Sequence, residues 1–68
     1  MNEKISDKLK ELRAEFNLSQ AKLGELLSVS QDTVSLWEND KALPSVEYII
    51  LICKTFDVSA DYLLCLKD

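Results

Sequence analysis

The stretch Ser30-Gln-Asp-Thr-Val-Ser-Leu-Trp-Glu-Asn-Asp-Lys41 carries side chains able to exchange hydrogen bonds with phosphates and with the edges of bases. At about 100° per helical residue, Gln31, Asp32, Ser35, Leu36 and Asn39 fall on one outward face, opposite Val34 and Trp37. Glutamine can grip adenine through N6 and N7, and a leucine can touch a thymine methyl. An aspartate on such a face either repels phosphates or accepts a hydrogen bond from cytosine N4. Taken alone, the same polar residues also suit an ordinary solvated helix face.

Other chemistries find less material. The chain has no histidine, so the commonest general base is missing, and no Ser or Cys has a recognisable activating partner. It reads as a non-enzyme. Two cysteines, Cys53 and Cys65, are too few and too far apart for zinc and are read as small core hydrophobes. No metal, cofactor or small-molecule ligand is expected. With 68 residues the chain has room for one domain, taken as 1–68, and not for a cleft between two. The longest apolar stretch, Tyr48 to Cys53, is far shorter than the roughly 20 residues of a membrane span. The opening Met-Asn-Glu-Lys resembles no signal peptide, so a soluble cytoplasmic protein is expected. Eight basic against twelve acidic residues give a net charge of −4, which by itself argues against a nucleic-acid partner. What decides binding is the local field at the contacting face, where a few amides and lysines suffice.

The elements that would position this face are all helical. Ile5, Leu9, Leu12 and Phe16 recur at steps of four, three and four, giving a first helix over about 3–16. Ser19, Ser30, Ser45 and Ser59 each precede an amphipathic run, as helix-capping serines do. They predict helices over about 20–27, 31–38, 46–56 and 60–66. Inward positions are Leu23, Leu26 and Leu27 on the second, Val34 and Trp37 on the third, and Leu63 and Leu64 on the fifth. On the fourth, Val46, Ile49, Ile50, Ile52, Cys53 and Phe56 share the inward face, leaving Tyr48, Leu51 and Thr55 outside. Pro44 makes 41–44 a loop. Only Ser28 to Ser30 separate the second and third helices, so the two must cross steeply.

Leu18-Ser-Gln-Ala-Lys-Leu-Gly-Glu-Leu-Leu-Ser-Val-Ser-Gln-Asp-Thr-Val-Ser-Leu-Trp-Glu-Asn-Asp-Lys-Ala-Leu-Pro-Ser45 resembles the helix-turn-helix of the Cro and lambda-repressor-like (XRE) family. The resemblance runs from about Leu9 to Leu63-Leu64. It implies an all-α, five-helix domain with the helix-turn-helix formed by helices 2 and 3. It further implies a transcriptional regulator, a repressor first of all, that binds a double-stranded DNA operator as a homodimer. By the same resemblance Gln31, Asp32 and Ser35 face bases, the outward face adds Leu36 as a base contact, and Gln20, Ser30, Asn39 and Lys41 are expected at phosphates. Arg13, flanking the first apolar stripe, and Glu38, on the inward edge of helix 3, should form a partly buried ion pair, which the family also has. The family's usual glycines are replaced by Ser28, Asp40 and Asp57, and Gly24 stands where it takes a small residue. A dimer seam is expected at Tyr48, Leu51, Thr55, Tyr62 and Leu66. The alternative is a protein-interaction module on the same fold, an antitoxin or antirepressor subunit.

Overall fold

The computed structural model describes residues 3–66. Its helices are α1 (Ile5–Glu15), α2 (Gln20–Leu27), α3 (Gln31–Glu38), α4 (Val46–Phe56) and α5 (Ala60–Leu63). Each start has a local cause. The hydroxyls of Ser19, Ser30 and Ser59 accept the amides of Lys22, Thr33 and Tyr62, three residues on, satisfying donors that the helix itself cannot. Ahead of α1 the Asp7 carboxylate accepts the Lys4 amide at 3.0 Å. Ser45 precedes α4 in extended conformation, yet its hydroxyl makes no capping bond.

Ends are equally local. Ser28 and Asp57 close α2 and α4 in the left-handed conformation, with φ of 60° and 56°, and Asp40 follows α3 at φ 60°. These are the three residues standing where the resembling family has glycine. Aspartate tolerates this backbone; serine costs more. The short connection to α3 runs directly over Gly24, where a Cβ would lie 2.7 Å from the Val29 carbonyl oxygen. Gly24 therefore serves the turn itself: helix propensity favours alanine there by about 1 kcal/mol, and the packed backbone overrides it.

The core gathers Leu9 and Leu12 of α1, Leu23 and Leu27 of α2, Val34 and Trp37 of α3, Ile52 and Phe56 of α4, and Leu63 of α5, with Ile5 at its edge. Several residues expected inside lie outside. Phe16 has passed the end of α1, so its position no longer follows the helical stripe, and it is half exposed with its ring edge-on to Phe56 at 4.9 Å. Leu26 is exposed because α2, only eight residues long, buries the single stripe Leu23–Leu27. On α4 only Ile52 and Phe56 are fully buried; Ile49 and Cys53 flank them, while Val46 and Ile50 are exposed. Leu64 is exposed because α5 stops at Leu63, its next turn broken by Cys65 at φ 60°. Conversely Tyr48, expected outside, is half-buried with its ring 5.4 Å from Trp37. Among the described residues no helix is long and apolar enough to cross a membrane.

Candidate nucleic-acid interface

α3 is fixed from behind by one buried carboxylate. Arg13 of α1 donates to Glu38 through Nε at 2.7 Å and Nη2 at 3.0 Å, and Gln20 of α2 donates through Nε2 at 3.1 Å. Glu38 is 3% exposed, so its charge needs all of these donors. The third guanidinium nitrogen of Arg13 donates to the Leu18 carbonyl at 3.0 Å, tying α1 to the entry of α2. The hydrogen bonds that Arg13 donates to Glu38 hold its pKa above its already high ordinary value. Two planar groups matched in this way set an orientation as well as a distance.

The opposite side of α3 is open. Gln31, Asp32, Leu36 and Asn39 are exposed, and Ser35 is half-buried between them. Lys41 is exposed in the following loop. Asp32 lies in the first turn of α3, where the helix dipole favours a negative group. Asp40, just beyond α3, is held by Lys4 at 2.8 Å, which offsets one negative charge beside this face. That hydrogen bond raises the Lys4 pKa.

Three residues expected at phosphates have partners of their own. The Ser30 hydroxyl caps α3, accepting the Thr33 amide at 3.1 Å and lying 3.0 Å from the Thr33 hydroxyl. One amide hydrogen of Gln20 goes to Glu38, leaving the other. Asn39 Nδ2 turns back onto Ser35. The Gln20–Glu38 and Lys4–Asp40 contacts join residues 18 and 36 apart, and no sequence period marks them. Asn39, the residue that closes α3, stands four positions after Ser35, a spacing that could have signalled their contact.

The residues expected at a dimer seam do not share one packing environment. Tyr48 leans on Trp37 of α3, whereas Tyr62 lies under Lys8 of α1, 4.7 Å from the ring centre, and donates to Glu11 at 3.3 Å. Burial pushes the Tyr62 hydroxyl pKa up. Leu51, Thr55 and Leu66 are exposed.

A helix-turn-helix family model matches residues 9–63, a span that holds α2, the left-handed turn at Ser28 and α3. The chain belongs to the helix-turn-helix family. It is 38% identical over 64 residues to the HTH-type transcriptional regulator YgzD of Bacillus subtilis, covering 94% of this chain and 97% of that protein. It is 42% identical over 60 residues to the transcriptional activator BcrR of Enterococcus faecalis, covering 88% of this chain but only 29% of BcrR. Among solved structures it resembles the phage P22 c2 repressor in complex with a synthetic operator. The TM-score is 0.85 at 28% identity, covering 93% of this chain and 96% of that one. The five-helix, lambda-repressor-like architecture expected from the sequence is the architecture found.

Proposed function

We propose that this chain is a sequence-specific DNA-binding transcriptional regulator that lays α3 in the major groove. The observation that carries the reading is the division of α3. Val34, Trp37 and Glu38 are locked inward, while Gln31, Asp32 and Leu36 are presented outward with Ser35 among them. The chain is similar to a repressor solved with operator DNA, and a helix-turn-helix generally lays its second helix in the major groove, which supports giving that outward face to base edges. The chain acts as a repressor, a reading supported by its similarity to the P22 c2 repressor. It does so in the cytoplasm, as one domain of residues 1–68.

Phosphates are met by Lys41, by the free amide hydrogen of Gln20 and by the chain around the capped Ser30. One α3 reads only a few base pairs, so two copies bind half-sites about one helical turn apart. Their seam runs along α4 and α5, with Leu51, Thr55 and Leu66 as its exposed members beside Tyr48 and Tyr62. Leu51→Lys then weakens dimerisation in sedimentation at micromolar protein.

The test is selection of bound sequences from random duplex DNA, followed by binding measured against salt. Gln31→Ala lowers affinity for the selected operator by about tenfold and for random DNA far less, since a bidentate base contact is lost. Lys41→Ala weakens all sequences alike and reduces the salt slope by about one unit. If no half-site is enriched, the acidic chain is instead a protein-interaction module.

A further inference from the structure

The loop that leaves α3 carries two opposed charges, and a residue at the start of α1 changes their balance. Asp40 and Lys41 are consecutive, so their Cα atoms stand about 3.8 Å apart. The backbone holds both in place. The Asp40 amide donates to the Trp37 carbonyl at 3.3 Å and the Lys41 amide to the Leu36 carbonyl at 2.9 Å, which folds the loop back on α3 with Asp40 at φ 60°. A phosphate drawn to Lys41 therefore also meets the Asp40 carboxylate, the only acidic side chain between Asn39 and Ser45. Within a Debye length of about 8–10 Å the two charges largely cancel.

Lys4 restores a positive sum. Its Nζ lies 2.8 Å from Asp40 Oδ2, across 36 positions of sequence. Its main chain is anchored at the head of α1: the amide donates to the Asp7 carboxylate at 3.0 Å, and the carbonyl accepts the Asp7 and Lys8 amides. As a stabilising contact the pair is weak, because the two side chains are 60% and 45% exposed and such pairs contribute little. Its effect is on the field in front of the loop. We propose that Lys4 is a positioning residue for DNA affinity, which holds and neutralises Asp40 so that Lys41 faces the phosphate backbone with its charge uncancelled. Lys4 acts through Asp40 and reads no base, so it raises affinity for every sequence alike. The inference rests on the reading of Lys41 as a phosphate contact in the DNA complex.

The experiment measures competitive binding of a selected operator and of random duplex DNA, over a range of salt, for the parent, Lys4→Met, Asp40→Asn and the double variant. Asparagine suits the left-handed backbone at position 40 as aspartate does, so melting temperatures should stay close to the parent's. Over Lys4, Asp40 and Lys41 the local charge is one positive in the parent and in the double variant, none in Lys4→Met, and two positive in Asp40→Asn. Affinity should follow that order. Lys4→Met should bind both DNAs about threefold more weakly at about 0.1 M salt, and Asp40→Asn about threefold more tightly. Asp40→Asn should also steepen the salt slope by about one unit, and the double variant should return to the parent's affinity and slope. A double variant as weak as Lys4→Met overturns the proposal, since Lys4 would then act without Asp40. So does a fall in melting temperature with DNA affinity unchanged in all variants, which is a structural tie alone. A change confined to the operator overturns it too, because that is base reading. Each of these results leaves the base-reading face standing. A parent that selects no sequence overturns the reading of α3 and the proposal together.

Discussion

The α2–α3 unit and the α4–α5 unit spend similar apolar residues in opposite ways. In the first, both helices are capped by serine hydroxyls, the connecting backbone packs on Gly24, and Glu38 is tied to α1 and α2. In the second, Val46, Ile50 and Leu64 are exposed and help line an apolar groove of about 420 Å³ with Ile5 and Leu43. α4 has no side-chain cap and α5 spans only four residues. The difference teaches where precision is needed. A helix that must present side chains at fixed angles is over-determined by hydrogen bonds, whereas helices that close the back of the core tolerate apolar surface.

The largest effect should follow from breaking the carboxylate that holds α3. Arg13→Ala leaves Glu38 buried with Gln20 as its remaining side-chain donor, and should cost about 3 kcal/mol in urea unfolding. Domains of this size have only about 3–10 kcal/mol in all, so much of the molecule would be unfolded at modest urea. Arg13→Lys keeps the charge, loses the paired geometry and should fall between. A loss below 1 kcal/mol for Arg13→Ala would mean that α3 is held by packing alone.

Next in size is the turn. Gly24→Ala gains about 1 kcal/mol of helix propensity. It also drives a Cβ against the Val29 carbonyl, where only backbone movement gives relief. The net should be a destabilisation of about 1–2 kcal/mol, since overpacking against rigid backbone outweighs propensity. A more stable alanine variant would show the turn to be freer than its packing indicates. Four residues along, the sign reverses. Ser28 carries a side chain in a left-handed cap, so Ser28→Gly should raise stability by about 1 kcal/mol, seen as a higher melting temperature. An unchanged or lower value would place the strain elsewhere.

How much of this was legible follows the same division. On α3 the cap Ser30, the inward Val34 and Trp37 and the outward Gln31, Asp32 and Leu36 each fit one position only, because polar and apolar residues alternate at helical spacing. The Arg13–Glu38 contact was legible too, from one charge flanking each of two apolar stripes. α4 offers no such contrast. Apolar residues at Val46, Ile49, Ile50, Leu51, Ile52 and Cys53 surround most of the helix, so spacing alone does not say which arc turns inward. α4 packs against α2, distant in sequence, and against α5, which follows it directly, and the arc that ends up inside carries Ile52 and Phe56 while Val46 and Ile50 stay out. At the site, the identity of the outward residues was readable. The hydrogen that Gln20 gives to Glu38 was not, because it depends on how α1, α2 and α3 meet.

The smallest expected effect tests the α4 arc directly. Val46 begins α4 and is 72% exposed, so Val46→Ser should change the stability of the monomer by less than about 0.5 kcal/mol, as for other exposed surface positions. Serine is also well suited to the start of a helix, which removes a propensity objection. Had Val46 belonged to the buried face that the sequence pattern drew, the same change would cost about 2 kcal/mol, from lost burial and an unsatisfied hydroxyl. The two outcomes differ by more than the error of a denaturant midpoint compared at constant slope. Ile52→Ser on the same helix supplies the contrast: Ile52 is fully buried, and its loss should cost several times more. Equal costs at the two positions would mean that Val46 is covered in solution and that the back of the molecule is not an open surface.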